Sequence, residues 1–369
     1  MAIVQRVGIV GAGLGGLAAA VAAARAGMQV EVFEARAHIA QPAVHVEVAP
    51  NLLRELAGLG VAEACVRRGF PFSSYALFDS EGRQHDELPA PPLAGPPWPP
   101  ALGLTLADLL ALLRDAAQAH RVRLHLGCAV HEVQADATVL TEDGGRHRFD
   151  LTAIATGQAL PLIAGRPAQP VPTTALPLQA CLCLLPRPVV MAGTAWVLCR
   201  GAGGLKRVGL VPVDTRRAGV ALLLASHADT RHAALRDALA GENRLLRGLG
   251  AQLHDEVPVQ VCGIANGLLP GPWHQGAVLR IGRSAHRLPP YFGQGPAQVV
   301  EDACVLGDLL RQGLTPQALG LAFSARRQPR VQQVLQVALQ AARWQAQPES
   351  TTDLRALAET LQPLVAEPA

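Results

Sequence analysis

The sequence predicts an α/β protein: a Rossmann-type domain with a parallel sheet, an inserted and mostly β second domain, and C-terminal helices. Two glycine-bearing turns carry the prediction, one near the N-terminus and one at Gly282–Gly295, each placed between a β-rich run and a helical run. The chain has 369 residues, 50% of them hydrophobic and 17% charged, so it is long enough for two domains and unlike a disordered protein.

The first turn has the spacing of a dinucleotide-binding motif. A β-rich run, Ile3–Val10, leads into Gly11, Gly13 and Gly16, and a second β-rich run follows at Gln29–Phe33. We expect the first glycine to make the tight turn, the second to let the backbone approach a pyrophosphate, and the third to permit close helix–strand packing. The helix N-terminus would then present unpaired N–H groups to the phosphates.

An acidic residue completes this motif. Glu34 ends the second predicted strand, where a carboxylate can accept hydrogen bonds from adenosine ribose hydroxyls. This order does not separate NAD from FAD. The other interpretation of the apolar start is a secretory signal peptide, but three glycines would interrupt a signal helix.

Further helices and strands follow from periodicity and capping. Leucines at helical spacing predict a helix over Asn51–Leu59, and Thr105 with Asp108 predicts a capped helix. Residues 89–100 hold seven prolines, which favours a rigid connection over a polyproline recognition segment. Short strands are predicted at Val122–Leu126, Val130–Gln134, Thr138–Thr141 and Leu151–Ala155.

The middle of the chain is the least patterned part. From Pro161 to Pro188 prolines recur without a helical period, as expected where the chain crosses between domains. Residues 189–262 predict strands with one helix around Arg231–Leu249. The glycines at Gly201, Gly203 and Gly204 predict a hairpin loop rather than a second nucleotide site, because a strand follows them at Val208–Val213.

Composition excludes several classes of function. The 32 basic and 29 acidic residues give a net charge of +3 without a basic block, which argues against a nucleic-acid partner. Seven cysteines without a CxxC pair and twelve histidines without ligand spacing predict neither a disulfide framework nor a metal site, and favour a cytoplasmic protein. No uncharged apolar run is long enough for a transmembrane span, whereas peripheral membrane contact is left open.

The second turn follows a predicted strand, Ala277–Ile281. The segment Gly282–Gly295 leads into Pro296 and an amphipathic helix. Proline near a first helical turn is typical of a helix N-terminus. The exposed N–H groups there could stabilise negative charge, such as that on the N1–C2=O edge of a reduced flavin.

Together these segments resemble the group A flavoprotein monooxygenases, the FAD-dependent aromatic hydroxylases of the p-hydroxybenzoate hydroxylase type. The resemblance extends over most of the chain and is weakest between 160 and 262. Beyond the two turns and Glu34, the matching segments are Pro50–Leu56, Ala107–Leu110, Asp150–Gly157, Glu301–Ala303 and Ala325–Arg330.

The resemblance implies a discontinuous FAD-binding domain with a substrate domain inserted over the flavin. We expect residues 1–72, 101–165 and 263–345 in the FAD-binding domain, 73–100 and 166–262 in the substrate domain, and 346–369 in a C-terminal helical tail. NAD(P)H would reduce the flavin without a Rossmann site of its own. O2 would then form a C4a-hydroperoxyflavin that hydroxylates a small aromatic or polycyclic metabolite.

Carried over by position, the resemblance implies a set of cofactor-binding residues but no catalytic side chain. The ADP half of FAD would be held by Gly11, Gly13, Leu14, Gly15, Gly16, Glu34 and Ala35, with Leu106, Val130, Gly157 and Arg283 near the adenine, ribose or phosphates. The isoalloxazine ring would be faced by Pro290, Gly293, Gln294 and Gly295.

The sequence departs from the family at several of these positions. Arg283 stands where the family has Asp, Leu106 where it commonly has Arg, and Thr156 where it has the Asp of an Asp-Gly pair. A glycine-rich stretch before Pro50 has become Ala43–Glu47. Arg283 could pair with the pyrophosphate and partly replace the charge missing at Leu106.

Two alternatives therefore stay open: a flavin-binding oxidase or reductase without hydroxylation, and a non-catalytic scaffold that has lost FAD contacts. His286 is expected to pack through hydrogen bonds rather than act as a base. Arg200 and Arg207 could meet an acidic substrate or an NADPH phosphate, although solvated hairpin ends are commoner. The oligomeric state is expected to be a monomer or a homodimer.

Overall fold

A computed structural model describes residues 3–199, 204–240, 243–347 and 353–369. The elements of the first half are β1 (Arg6–Val10), α1 (Leu14–Arg25), β2 (Gln29–Glu34), β3 (His45–Val48), α2 (Pro50–Gly58), α3 (Ala62–Arg68), β4 (Phe70–Phe72), β5 (Ser74–Phe78), β6 (Gln84–Pro89), β7 (Ala101–Thr105), α4 (Leu106–Ala119), β8 (Arg123–Leu126), β9 (Val130–Val133), β10 (Val139–Thr141), β11 (Arg146–His147), β12 (Leu151–Ile154), β13 (Leu162–Ile163) and β14 (Arg166–Pro167).

The elements of the second half are β15 (Thr173–Pro186), β16 (Thr194–Cys199), β17 (Leu205–Pro212), β18 (Arg217–Ala225), α5 (His232–Leu239), α6 (Arg244–Gln252), β19 (Gln260–Leu268), β20 (His274–Gln275), β21 (Val278–Arg280), β22 (His286–Arg287), α7 (Gln294–Arg311), α8 (Pro316–Ala346) and α9 (Leu354–Ala366). A 3-10 turn at Gly282–Ser284 precedes β22.

A six-stranded sheet in the order β20-β21-β12-β1-β2-β8 forms the centre of the nucleotide-binding half. β21, β12, β1, β2 and β8 are parallel, and β20 is antiparallel at one edge. Four of the five residues of β1 and all four of β12 are buried. Such continuous apolar runs are typical of parallel strands that are covered on both faces.

Small residues allow α1 to pack closely on this sheet and on α7. The Ala-rich segment Leu17–Ala23 is buried along its whole length. A Cβ added at Gly307 of α7 would lie 3.1 Å from the Cβ of Ala22, so this glycine sets the helix separation. The first glycine turn is thereby held directly against α7.

The second large sheet has eight strands in the order β22-β19-β15-β18-β17-β16-β5-β6. Neighbouring strands in this sheet run antiparallel, except that β16 and β5 run parallel to each other. A small sheet, β3-β7-β4, packs between it and the nucleotide-binding half. The predicted fold class, a Rossmann-type parallel sheet with a mostly β second domain and C-terminal helices, is confirmed.

Two predictions in the middle of the chain are wrong. The segment Pro161–Pro188 is predicted only as the place where the chain crosses between domains, but it contains the fourteen-residue strand β15. Pro177 lies where the pairing of β15 with β19 shifts register, a position at which a strand tolerates proline. The single helix predicted over Arg231–Leu249 is two helices, since Asn243 begins α6 by accepting hydrogen bonds from the N–H groups of Leu245 and Leu246.

The predicted hairpin loop lies mostly outside the described residues. β16 and β17 pair antiparallel on either side of it, but Arg200, Gly201 and Gly203 are not described. The predicted domain limits stay a prediction; the eight-stranded sheet continues past position 262 through β19 and β22.

The helices at the C-terminus pack on the second sheet. α8 is 31 residues long, begins with Thr315 as its cap and Pro316 in its first turn, and contains Pro329. Within the described ranges, no helix is both long enough and apolar enough to cross a membrane.

Candidate functional site

The turn between β1 and α1 depends on two of its glycines. Gly11 has a φ of +101° and its N–H donates to the carbonyl of Phe33 at 2.7 Å. A Cβ at Gly16 would lie 1.8 Å from the carbonyl oxygen of Gly11, so no larger residue fits there. This contact fixes the start of α1 against the end of β1.

The N-terminus of α1 is open to a ligand. Gly13 caps the helix without a side-chain hydrogen bond, and the first turn has no acidic residue. Gly13 is exposed, and a Cβ added there would meet nothing within 4 Å. The arrangement leaves backbone N–H groups and the positive helix end available to an anion. Leu14 is half-buried, whereas Gly15 is buried.

Glu34 is buried beside the same turn. Its Oε2 accepts the N–H of Ala12 at 2.9 Å, and its Oε1 accepts the N–H of Arg36 at 3.1 Å. The guanidinium Nε of Arg36 lies 3.2 Å from Oε1. Each carboxylate oxygen keeps further acceptor capacity, as binding of ribose hydroxyls requires. Ala35 is exposed at the end of the strand.

The turn after β12 meets the first turn. A Cβ at Gly11 would lie 2.9 Å from the carbonyl oxygen of Ala155. Gly157 has a φ of +70° and its N–H donates to the Oγ of Ser284 at 3.0 Å. The adjacent Thr156 Oγ1 is buried and has no hydrogen-bond partner among the described residues. An unpaired hydroxyl at this point fits a ligand with polar groups.

Val299 of α7 joins the two glycine turns. A Cβ added at Gly15 would lie 3.0 Å from its Cγ1, and one added at Gly282 would lie 3.2 Å from the same atom. Arg283 follows Gly282, is exposed, and has its Cβ 3.8 Å from the position of a Cβ on Gly157. The structure therefore brings the predicted phosphate-binding turn together with Gly157 and Arg283.

The loop before α7 also has the predicted form. Gly293 caps α7 with a φ of +65° and no side-chain hydrogen bond, and a Cβ on Gly295 would meet nothing within 4 Å. Gln294 is buried and pairs with Asn51 through two amide hydrogen bonds of 3.1 and 3.2 Å. Pro290 is exposed.

Leu106 and Val130 lie farther along the same half. Leu106 is the first residue of α4, is half-buried, and donates its N–H to the carbonyl of Val44 at 2.9 Å. Val130 begins β9 two residues after Cys128, whose N–H donates to the carbonyl of Glu34 at 2.9 Å. Val130 therefore lies close along the chain to a residue that contacts Glu34, and the contacts of Leu106 and Val130 with FAD stay predictions.

A buried ionic network supports the second turn from behind. Asp302 Oδ2 accepts the N–H of Gly282 at 2.7 Å and contacts His286 Nε2 at 2.9 Å, while Asp302 Oδ1 accepts from Arg327 Nε at 2.6 Å. Arg327 also donates to Glu301 at 2.8 Å. Burial would raise the pKa of Asp302, but the charges of His286 and Arg327 and their hydrogen bonds lower it overall.

His286 thus has the hydrogen-bonded, buried position that was expected, with 1% of its surface exposed. The network also explains the sequence motifs at Glu301–Ala303 and Ala325–Arg330. They hold Gly282 and the first turns of α7 in place.

Sequence reasoning missed a second polar cluster, on β3. Glu47 Oε1 accepts a hydrogen bond from the hydroxyl of Tyr75 at 2.8 Å. Burial raises the pKa of Glu47, while Tyr75 and Arg207 oppose that shift. The alternation of His45 and Glu47 with Val46 and Val48 is the signal that could have revealed it, because it predicts one polar face on this strand.

Within the described ranges, no group of three or more His, Cys, Asp and Glu side chains could hold a metal ion. Six cysteines have described side chains, and all six are free thiols.

The comparisons with known proteins agree with this geometry. Residues 9–50 match the family model of the NAD(P)-binding Rossmann-like domain. The chain is 30% identical over 365 residues to the FAD-dependent monooxygenase atnJ of Arthrinium sp, covering 92% of this chain and 83% of that protein. It is 28% identical to the FAD-dependent urate hydroxylase of Klebsiella pneumoniae, covering 89% and 87%.

The fold is similar to that of a solved structure, Klebsiella pneumoniae HpxO complexed with FAD and uric acid. The TM-score is 0.80 at 24% identity, with 98% of this chain and 93% of that chain covered.

Proposed function

The chain belongs to the family of FAD-dependent monooxygenases, and we propose that it hydroxylates a small aromatic or polycyclic metabolite with NAD(P)H and O2. The observation that supports this most is the meeting of Gly11, Gly157 and Gly282 beside the open N-termini of α1 and α7. Two separate turns at the N-termini of helices suit an extended dinucleotide, because one can bind its central pyrophosphate and the other can face the flavin ring at one end.

The residues present fit FAD. The open space at Gly13 leaves room for a pyrophosphate, and the buried Oγ1 of Thr156 has no partner among the described residues. Gly13, Gly15 and Gly16 would bind the pyrophosphate through backbone N–H groups, and Glu34 would bind the adenosine ribose. Arg283 would supply a positive charge beside Gly157. Gly293, Gln294 and Gly295 would face the isoalloxazine ring.

When bound, FAD would supply the redox chemistry: it accepts a hydride from NAD(P)H and activates O2. The side chains of this chain bind and orient the cofactor and exclude water from it. The N-terminus of α7 would stabilise negative charge on the ring, since it carries no acidic residue in its first turn. The network of Asp302, Arg327 and Glu301 would keep that helix end in position.

We further propose that the protein acts in the cytoplasm, because its cysteines form no disulfide-framework pattern, and that it is a monomer or homodimer. The proposal of a small substrate is supported by the relatives of this chain, which include a urate hydroxylase.

Purified protein tests the proposal. We expect a flavin absorbance spectrum and NAD(P)H oxidation with O2 uptake that an aromatic ligand stimulates. Flavin absorbance without ligand-stimulated O2 uptake would favour an oxidase or reductase. Protein that does not bind added FAD would favour the non-catalytic scaffold and would contradict the proposal.

A further inference from the structure

The strand β3 presents one polar face toward the eight-stranded sheet. Val46 and Val48 are buried in the core of the nucleotide-binding half. The alternate residues, His45 and Glu47, point the other way: His45 packs on Gly219 of β18, and Glu47 is reached by Tyr75 of β5. Because successive side chains of a strand point to opposite faces, these two polar groups lie where the two halves of the molecule meet.

One carboxylate oxygen of Glu47 accepts a hydrogen bond within the protein, and the other is available to accept one from a ligand. The hydroxyl of Tyr75 donates to Oε1 at 2.8 Å, whereas Oε2 accepts no hydrogen bond from any residue in the described ranges. A Cβ added at Gly293 would lie 3.2 Å from Oε1, so the carboxylate is next to the loop that begins α7. In a half-buried site an ionised carboxylate is stable only with partners for its acceptor positions.

Arg207 stands at the other end of the same loop. Its NH2 group donates to the carbonyl of Pro290 at 3.1 Å, and its guanidinium carbon lies 4.6 Å from the centre of the Tyr291 ring. Among the described residues no carboxylate lies within ion-pair distance of it. Arg207 and Glu47 thus contact the same short loop, Arg207 at Pro290 and Glu47 at Gly293, and the positive charge of Arg207 opposes the rise that burial causes in the pKa of Glu47.

Tyr291 supplies a second, independent indication of a ligand. The side chain is 1% exposed, and its hydroxyl has no hydrogen-bond partner in the described part of the chain. A buried hydroxyl without a hydrogen-bond partner lowers the stability of the fold. A bound molecule that forms a hydrogen bond with it would remove this cost. The chain has two tyrosines, of which Tyr75 contacts Glu47 and Tyr291 contacts Arg207.

We propose that Glu47 determines substrate specificity. Its free Oε2 accepts a hydrogen bond from a ring N–H or O–H of the substrate, while Arg207 donates to a neighbouring carbonyl or oxyanion. Tyr75 is a positioning residue that holds the carboxylate. The proposal rests on the proposed function, because it places the substrate beside the loop that would face the flavin.

The chemistry of the pair defines the substrate class. A carboxylate accepts and a guanidinium donates, so the complementary ligand carries a donor next to an acceptor on one aromatic edge. Cyclic amides and ortho-hydroxy carbonyl aromatics have this pattern. An aromatic that carries only an acceptor leaves the Glu47 carboxylate unpaired, which a half-buried site penalises.

A matched pair of probes tests this pattern. 2-Quinolone carries a ring N–H beside a carbonyl, and N-methyl-2-quinolone differs by loss of that N–H. Dissociation constants are measured with the FAD-loaded protein. We expect wild type to prefer 2-quinolone by about tenfold or more, the effect of one hydrogen bond to a charged group.

The variant Glu47→Gln should remove this preference, because its oxygen stays with Tyr75 and its NH2 group faces the ligand N–H. Glu256→Gln changes an exposed carboxyl outside the cluster and should keep the full preference. Tyr75→Phe provides a second test: it should reduce the preference severalfold while leaving the affinity for N-methyl-2-quinolone unchanged.

Equal affinity of wild type for the two probes, absence of 2-quinolone binding at millimolar concentration, or a preference retained by both Glu47→Gln and Tyr75→Phe would overturn the proposal. The flavin absorbance of the same samples reports separately on the proposed function. Protein without flavin contradicts that function, whereas flavin-loaded protein without the preference contradicts only the role of Glu47.

Discussion

The carboxylate of Glu34 accepts a hydrogen bond from the backbone N–H of Ala12 at 2.9 Å, across 22 positions of sequence. The end of β2 and the glycine turn after β1 are therefore one unit. A residue predicted to bind ribose also fixes the turn that is predicted to bind phosphate.

Replacement of this carboxylate should weaken cofactor binding. In Glu34→Ala the ribose loses its acceptor and Ala12 loses its partner, so we expect FAD affinity to fall about tenfold to a hundredfold. Quenching of flavin fluorescence on titration measures it. Glu256→Gln, at an exposed site, is the control, and unchanged affinity in Glu34→Ala would contradict the assignment.

Two glycines of the same turn should respond differently to alanine. Gly16→Ala places a Cβ 1.8 Å from the Gly11 carbonyl oxygen, so we expect a loss of folding stability of about 1–3 kcal/mol or more. Gly13→Ala meets open space and should keep the melting temperature while weakening FAD binding. Thermal unfolding and FAD titration of both variants separate the two roles. Equal effects on stability would contradict the geometry.

Arg283 should contribute charge to cofactor binding. It is exposed beside Gly157, so Arg283→Ala is expected to lower FAD affinity about tenfold without a change in melting temperature. Arg148→Ala, an exposed arginine on another part of the surface, serves as the control. Salt should reduce the difference between wild type and Arg283→Ala. An unaltered affinity would show that Arg283 does not replace the missing arginine at Leu106.

Acid should destabilise the protein through His45. Burial lowers the pKa of His45 from 6.5 to about 4, so the folded state keeps this imidazole neutral where the unfolded chain protonates it. The unfolded state then binds more protons, and stability falls as the pH drops below 6.5. Between about pH 7 and about pH 5 this amounts to about 2 kcal/mol.

The variant His45→Asn isolates this contribution. Its free energy of unfolding in urea should depend less on pH than that of wild type over the same interval, whatever its absolute stability. Parallel pH profiles for the two proteins would contradict a neutral buried imidazole.

Tyrosine ionisation should report on the Glu47 cluster. Burial, the charge of Glu47 and the hydrogen bond to Glu47 raise the pKa of Tyr75 well above 10.0, and burial raises that of Tyr291 to about 12. Since the chain has two tyrosines, the tyrosinate absorbance resolves both. Glu47→Gln should lower the pKa of Tyr75 but leave it above its ordinary value. No change would show that the contact does not form.

The glycine motifs made the nucleotide-binding half predictable. Gly11 is required by its own positive φ and Gly16 by its contact with Gly11 five residues earlier, and the Thr105 cap of α4 is equally local. Such features depend on backbone geometry that sequence spacing encodes directly.

The second sheet was harder to predict because long-range pairing decides it. β15 is a strand in spite of its prolines because β18 and β19 pair with it on both sides. The partnership of Glu47 with Tyr75 joins positions 28 residues apart on different sheets. Nothing in the spacing of those residues predicts it, since the contact depends on how the two sheets pack.

The most direct test of the account is a crystal structure of the protein grown with FAD. We expect the pyrophosphate at the N-terminus of α1, the ribose at Glu34 and the isoalloxazine ring beside Gly293–Gly295. FAD bound elsewhere, or crystals that contain no FAD at saturating concentration, would contradict it.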